Sequence, residues 1–174
     1  MTQIYLSLGS NVNASENLRA ALLALGSTYG ALRCSAIYRT PAMGFAGQDF
    51  LNLVVGLDTS VLPVLVLDEL RRLEARQGRH RGEARFADRT LDVDLLTYGD
   101  QISGTPPLPR ADIEDYDFVL GPLAEIAGGE AHPVLGKTYA ELWAAMGRDK
   151  APLVRVEEAV EQAILSALTP SQEA

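Results

Sequence analysis

The sequence predicts an α+β fold in which helices pack on an antiparallel sheet and further helices follow it. Three observations support this prediction: short segments in which apolar residues alternate, longer segments with an apolar residue every three or four positions, and turns rich in glycine or proline between them. The chain has 174 residues, of which 47% are hydrophobic, and is therefore long enough for one well-cored domain but short for two.

The first part of the chain alternates strands and helices. Strands are predicted at residues 3–8, 32–38, 50–57 and 90–98. A first helix is predicted from about Ser15 to a stop at Gly26, and a second helix from Pro63 to Gly78. The resulting order, βαββαβ, is that of a ferredoxin-like sheet.

Three helical segments are predicted after the sheet. A short helix covers residues 118–126, and Thr138 with Glu141 forms a capping box for a helix that ends at Met146. The amphipathic segment 156–168 covers its own domain, pairs with another subunit, or frays; we favour packing on its own domain. We expect one domain over residues 1–150 and a C-terminal helical extension over residues 151–174.

Charge and cysteine content restrict the partners and the compartment. A formal net charge of −8 argues against a nucleic-acid or anionic-membrane partner, yet seven of the fifteen lysine and arginine residues lie between Arg71 and Arg89. This concentration predicts a local anion site. Cys34 is the single cysteine, and neither a signal peptide nor a membrane-spanning apolar run is visible, so a cytoplasmic protein is expected.

The predicted strand at residues 90–98 carries a pair of acidic residues. Asp92 and Asp94 alternate with apolar residues, so both point to one face, roughly 6–7 Å apart. Paired carboxylates suit one or two Mg²⁺ ions, and the arginines just upstream suit phosphate oxygens. These groups are the ones that phosphoryl-type transfer from a nucleotide requires. The alternative is an exposed acidic face neutralised by salt bridges to those arginines.

Several motifs carry a resemblance to a known enzyme family. They are GSN at residues 9–11, YRTP at 38–41, FLN at 50–52, and GRHR followed by RTLDVDLL within 78–96. Over roughly the first 146 residues the chain resembles the 6-hydroxymethyl-7,8-dihydropterin pyrophosphokinase family. The resemblance implies that the chain transfers pyrophosphate from MgATP to the hydroxymethyl group of that pterin in folate biosynthesis, as a monomer or weak dimer.

The resemblance also implies roles for individual residues. Two Mg²⁺ ions would bind Asp92 and Asp94. Residues expected to take part in catalysis are Arg79, Arg81, Arg89, Asp92 and Asp94. Residues expected to bind ATP are Glu74, Arg79, Arg81, Phe86, Arg89 and Arg110. Residues expected to bind the pterin are Thr40, Pro41, Met43, Phe50, Asn52, Asp92 and Phe118, with the two phenylalanines on either side of the ring.

The chain departs from the family pattern in one segment. The family usually has a histidine after Pro109 and an arginine two residues before the phenylalanine, whereas this chain has Arg110, Ala111 and Tyr116. We expect Arg110 to replace the histidine as a phosphate donor. Two alternatives stay open: a divergent pterin-binding copy with weak or altered activity, and a non-enzymatic RNA-binding module, since ferredoxin-like sheets often stack bases.

Overall fold

The structure is a computed structural model and describes residues 1–78, 87–147 and 151–169. The strands are β1 Thr2–Ser10, β2 Arg33–Cys34, β3 Tyr38–Thr40, β4 Phe50–Thr59, β5 Asp92–Tyr98, β6 Ser103–Gly104, β7 Pro107–Leu108 and β8 Val154–Arg155. The helices are α1 Ala14–Tyr29, α2 Pro63–Arg76, α3 Asp112–Asp115, α4 Asp117–Ala127, α5 Tyr139–Met146 and α6 Glu158–Leu165, followed by a 3₁₀ turn at Ser166–Leu168. Within the described ranges, none of the helices is both long enough and apolar enough for a bilayer crossing.

The main sheet has the strand order β5-β1-β4-β3-β8, and β2 also pairs with β4. Strand β1 lies between β4 and β5 and is antiparallel to both. The predicted α+β class and antiparallel sheet are therefore confirmed. A separate hairpin of β6 and β7, which the sequence reading did not predict, follows β5.

Helices cover both faces of the sheet, because β1 sends alternate side chains to opposite sides. Ile4 and Leu8 belong to one core cluster, which α1, α2 and α6 complete. Tyr5 belongs to a second cluster with residues of α4 and α5. Burial of each leucine-sized side chain contributes about 1.5–3 kcal/mol, so these two layers fix the sheet between the helices.

The predicted continuous strand at residues 32–38 is wrong, because the chain leaves the sheet ladder after Cys34. Ser35 exchanges hydrogen bonds with the backbone of Val54. The next two backbone N–H groups donate to carboxylates from distant helices: that of Ala36 to Glu125, and that of Ile37 to Glu161, both at 2.9 Å. Side chains remote in sequence therefore replace the strand partners and divide the segment into β2 and β3.

Two predicted boundaries also differ from the structure. Helix α1 continues past Gly26 to Tyr29 and ends before Gly30, which has a φ of 87° and donates its N–H to the Gly26 carbonyl. Gly30 tolerates this left-handed conformation because it lacks a Cβ atom. Strand β5 begins at Asp92 instead of residue 90, because the Thr90 carbonyl accepts a hydrogen bond from Ser10 Oγ at 2.6 Å.

The C-terminal segment packs on the remainder of the chain. Strand β8 pairs with β3, and the N–H of Val156 donates to the Ile37 carbonyl, so the last helix starts at Glu158 instead of residue 156. Val156 and Ile164 join the core cluster that contains α1. The favoured alternative for this segment, packing on its own domain, is confirmed. The capping box of Thr138 and Glu141 is also confirmed at the start of α5.

Glu161 links α6 to the interrupted strand and gives a first testable prediction. Its buried carboxylate accepts hydrogen bonds from the Ile37 N–H and from Arg155, at 2.9 and 2.7 Å. We expect Glu161→Gln to lower the free energy of unfolding by about 1–2 kcal/mol at neutral pH, because a charge-assisted acceptor is lost. Urea denaturation of both proteins measures the difference.

Glu158→Gln is the matched control, since Glu158 is exposed and contacts Gln162 on the same helix. The Arg155 hydrogen bond lowers the pKa of Glu161, so the native state favours the carboxylate. The wild-type advantage should therefore be present above the ordinary glutamate pKa of about 4.3 and fall as the pH decreases below it. An advantage that is equal at acid and neutral pH would contradict this account.

Candidate active site

A cleft of about 650 Å³ opens on the α4 side of the sheet. It lies where β1 ends, β5 begins and β4 begins, so three strands contribute to its floor. Helices α3 and α4 form one wall and the loop after β3 forms another. Its described lining residues are Ser7, Gly9, Thr40, Pro41, Met43, Phe45, Phe50, Asn52, Ala87, Arg89, Asp92, Asp94, Arg110, Ala111, Asp112, Asp115, Tyr116, Phe118 and Val119.

The acidic pair lies on β5, the edge strand of the sheet, where it forms part of this floor. Asp92 and Asp94 alternate with the buried Val93 and Leu95, so both carboxylates face the cleft, as the spacing predicted. The backbone between them is held by Glu74 on α2, whose Oε1 accepts the Val93 N–H at 2.8 Å. Glu74 thereby satisfies an N–H group that would otherwise be exposed on an edge strand.

The electrostatics of the pair are unfavourable for two negative charges. Burial, and then the neighbouring Asp92 carboxylate, raise the pKa of Asp94 to about 7, although the Arg110 guanidinium acts in the opposite direction. A bound cation would stabilise the ionised form of a carboxyl group in such surroundings. The acidic pair is therefore the part of the cleft best suited to a metal ion.

Arg110 lies beside the acidic pair. Its Nη1 is 3.6 Å from Asp94 Oδ1, and its Nη2 is 3.2 Å from Asp112 Oδ1. Although burial acts to lower it, these carboxylates raise the pKa of Arg110, which stays charged. The guanidinium thus lies between the strand that carries Asp94 and the start of α3.

Gly9 forms an open part of the floor between two polar residues. In the sheet register Gly9 lies opposite Asn52 on one side and Asp92 on the other. A Cβ atom on Gly9 would be 2.9 Å from Asn52 Oδ1 and 3.8 Å from the Phe50 ring. The amide Nδ2 of Asn52 donates to Thr40 Oγ1 at 2.7 Å, which fixes the orientation of the side chain. Glycine is therefore needed here to keep Asn52 and Phe50 accessible from the cleft.

Aromatic side chains line two sides of the cleft. Phe45 and Phe50 meet edge to face, with ring centroids 6.5 Å apart. Tyr116 and Phe118 are stacked, with centroids 5.1 Å apart and an interplanar angle of 24°. Offset and edge-to-face rings provide an apolar surface for a flat ligand.

The GSN motif connects the end of β1 to the backbone around Arg89. Asn11 Oδ1 accepts the Arg89 N–H at 2.7 Å, and the Asn11 N–H donates to the Arg89 carbonyl. Asn11 Nδ2 also donates to Asp88 and to the Gln48 carbonyl in the loop after β3. These contacts hold Arg89, which is 7% exposed, at the cleft.

The structure brings most of the sequence-predicted site residues together. The cleft contains Thr40, Pro41, Met43, Phe50, Asn52, Arg89, Asp92, Asp94, Arg110 and Phe118. Glu74 does not line it and contacts the backbone of β5 instead. Arg79, Arg81 and Phe86 lie outside the described residues.

Ser7, Gly9, Phe45, Asp112 and Asp115 also line the cleft, although no site role was predicted for them from the sequence. For Ser7 and Gly9 a signal was present, because both interrupt an otherwise apolar strand at alternate positions. The residues from α3 and the loop after β3 had no comparable local pattern. Their position depends on how those segments fold against the sheet.

The donor set fits a hard divalent cation. No cluster of three or more histidine, cysteine, aspartate or glutamate side chains with metal-binding geometry exists within residues 1–78, 87–147 and 151–169. Two carboxylates next to an open cleft leave further coordination positions to water and ligand oxygens, as Mg²⁺ prefers.

Comparison with known proteins identifies the family of the chain. Residues 5–128 match the model of the 7,8-dihydro-6-hydroxymethylpterin-pyrophosphokinase (HPPK) family. The 2-amino-4-hydroxy-6-hydroxymethyldihydropteridine pyrophosphokinase of Haemophilus influenzae is 40% identical over 133 residues, which are 73% of this chain and 82% of that protein. The protein of the same name from Methylorubrum extorquens is 42% identical over 141 residues, which are 75% of this chain and 89% of that protein.

Solved structures show the same fold. A structure described as HPPK-DHPS in complex with substrates superposes with a TM-score of 0.67 at 12% identity, covering 83% of this chain and 43% of its own. Plasmodium falciparum HPPK-DHPS, wild type with SDX-DHP, gives a TM-score of 0.64 at 14% identity, covering 84% of this chain and 44% of its own. The chain thus spans less than half the length of these two structures.

The fold and the cleft define an α+β domain with a ligand site that combines an acidic pair, arginines and aromatic rings. The family match and the relatives make the assignment specific. The chain belongs to the 7,8-dihydro-6-hydroxymethylpterin-pyrophosphokinase family.

The raised pKa of Asp94 gives a second prediction, about stability. Because the folded protein disfavours the charged carboxylate, wild-type stability should decrease as the pH rises from the ordinary aspartate value of about 3.9 to about 7. We expect Asp94→Asn, which removes this charge, to increase the free energy of unfolding by about 1 kcal/mol or more at about pH 8. Urea denaturation at acid and alkaline pH measures the effect.

The exposed Asp58 on β4 supplies a control, since it lies outside the cleft lining. Asp58→Asn should change stability by less than about 0.5 kcal/mol at either pH. A destabilising effect of Asp94→Asn at about pH 8 would contradict a raised pKa of Asp94.

Proposed function

We propose that the chain transfers a pyrophosphoryl group from ATP to the hydroxymethyl group of 6-hydroxymethyl-7,8-dihydropterin. The observation that carries this proposal is one cleft that joins an acidic pair, a charged arginine, a buried amide and aromatic rings. The family match supports the same reaction. A nucleotide triphosphate needs the charged groups, and a flat heterocycle needs the amide and the rings.

In this proposal the pterin lies on the floor of the cleft, along the row from Asn52 across Gly9 to Asp92. These three residues are on adjacent strands, so the outer two strands are roughly 9–10 Å apart. A bicyclic pterin with its hydroxymethyl arm fits that separation. Asn52 then hydrogen-bonds to the amide-like edge of the ring, and the hydroxymethyl oxygen points to Asp92.

Aromatic rings complete the pterin site. Phe50 contacts the ring on the sheet side, since it lies next to Gly9. Phe118 has one face stacked on Tyr116, which leaves its other face for the ligand. Thr40, Pro41 and Met43 close the site from the loop after β3.

In the proposed reaction the hydroxymethyl oxygen attacks the β-phosphorus of ATP. A new oxygen–phosphorus bond forms, the bond between the β-phosphorus and the α,β-bridging oxygen breaks, AMP leaves, and the hydroxyl proton is released. Asp92 and Asp94 would hold Mg²⁺, two ions by analogy with the family, which supplies charge neutralisation for the phosphate oxygens. Arg89 and Arg110 stabilise the negative charge of the transferring group.

Beyond the reaction itself, further expectations belong to this proposal. ATP and the pterin are the partners, and the protein acts as a monomer or weak dimer in the cytoplasm. Arg79, Arg81 and Phe86 take part in ATP binding, and Glu74 contributes by holding the strand between the two aspartates. The use of an intracellular nucleotide supports the compartment.

Loss of the acidic pair tests the reaction. We expect Asp94→Asn to reduce AMP formation from MgATP and the dihydropterin by at least about a thousandfold, because a metal-holding carboxylate is lost. Labelled ATP and chromatography of AMP measure the rate. Asp58→Asn should keep wild-type turnover, and circular dichroism checks that both variants are folded.

AMP formation by Asp94→Asn at the wild-type rate would contradict the proposal. Binding of the pterin by the wild-type protein without any AMP release would contradict it as well and favour a non-catalytic pterin-binding protein.

The pterin side of the cleft is tested separately through Asn52. We expect Asn52→Ala to raise the KM for the pterin by about 10- to 100-fold with little change in the KM for ATP, because a buried amide recognises only the ring. Steady-state kinetics with each substrate varied in turn measures both values. An equal rise in both KM values would mean that Asn52 acts on the fold of the cleft instead.

A further inference from the structure

The backbone positions Arg110 next to Asp94. The Arg110 N–H donates to the carbonyl of Leu96 at 2.9 Å, two residues beyond Asp94 on β5. Because residues 94 and 96 lie two positions apart on the same strand, this hydrogen bond holds the start of the arginine side chain near the aspartate. Main-chain geometry therefore keeps Arg110 within reach of Asp94.

The guanidinium is close to Asp94 but weakly held there. Nη1 and Asp94 Oδ1 are 3.6 Å apart, whereas the hydrogen bond of Nη2 goes to Asp112. The buried Nε has no hydrogen-bond partner among the described residues. Both charged side chains are about one-third exposed, at 31% and 29%. A partly exposed ion pair whose two charged groups share no hydrogen bond is readily exchanged for a better one.

The same carboxylate is the one that we assign to a metal ion. A guanidinium at this distance from Asp94 repels a divalent cation that approaches the same oxygen atoms. A phosphate chain changes the balance, because it offers Arg110 oxygen atoms in the fork geometry that arginine prefers. Arg110 then binds the phosphate chain and the metal ion binds Asp94, so the guanidinium and the metal ion no longer compete for the same carboxylate.

We propose that Arg110 is a resident counter-cation of Asp94, which opposes binding of free divalent metal ions and releases the carboxylate to a metal–nucleotide complex. This inference rests on the proposed function. In thermodynamic terms Arg110 couples the two ligands, so that the nucleotide strengthens metal binding and the metal strengthens nucleotide binding by the same factor.

The first experiment measures the binding of Mn²⁺ alone, by electron paramagnetic resonance of the free ion at about pH 8. We expect Arg110→Gln to bind Mn²⁺ about tenfold more tightly than wild type, because a competing positive charge is removed. Arg110→Lys keeps the charge and should remain close to wild type.

Arg71→Gln is the matched control, because it removes the same charge from an exposed position on α2, where Arg71 pairs with Asp68. It should bind Mn²⁺ like wild type, which separates a local effect from a change in net charge. Circular dichroism establishes that all variants are folded.

The second experiment adds a methylene-bridged ATP analogue that cannot be cleaved. In wild type, a saturating amount of the analogue should strengthen Mn²⁺ binding strongly, and Arg110→Gln should reduce this coupling by about tenfold. An unchanged or weaker affinity of Arg110→Gln for Mn²⁺ alone would overturn the inference. If Asp94→Asn binds Mn²⁺ as tightly as wild type, Asp94 is not a metal ligand, and the proposed function fails instead.

Discussion

Repulsion between two carboxylates on one short strand is the constraint on which the site depends. Val93 and Leu95 are almost fully buried against the helices of the opposite face, so the period of the strand forces Asp92 and Asp94 toward the cleft. Like charges at this separation repel each other, most strongly where they are removed from water. The apolar packing behind the strand therefore holds the acidic pair in place at a cost in stability, which is a common arrangement in functional sites.

The central strand β1 divides one face of the sheet into a core and a cleft. At Tyr5 the face is filled by helices α4 and α5, and Gly56 leaves room for the tyrosine ring, since a Cβ there would be 2.9 Å from it. At Ser7 and Gly9 the side chains become too small to fill the space above the sheet. A gradient of side-chain size along one strand therefore creates a ligand site next to the filled part of the same face.

The sequence predicted those parts of the fold and site that depend on local periodicity. Alternation located β1, β4 and β5 and placed both aspartates on one face. It failed at residues 35–37, because Glu125 and Glu161, which replace the ladder there, are about 90 and 125 positions away. The partners of Arg110 were also beyond local patterns, since they follow from a main-chain contact to β5. Tertiary contacts of this kind leave no periodic signal in the chain.

The number of acidic residues at positions 112–117 alone would suggest that this segment repels a triphosphate. In the structure, Asp112 is paired with Arg110, and Asp117 accepts the N–H of Phe118 at the first turn of α4, where the helix dipole favours a negative charge. Two of the segment's charges are thus compensated locally. The same pairing means that Arg110 must leave both Asp94 and Asp112 before it contacts a phosphate fully. Arg89, which Asn11 anchors through the backbone, also lines the cleft. In the proposed function, the contribution of Arg110 to nucleotide binding therefore follows only when its two carboxylates have other partners.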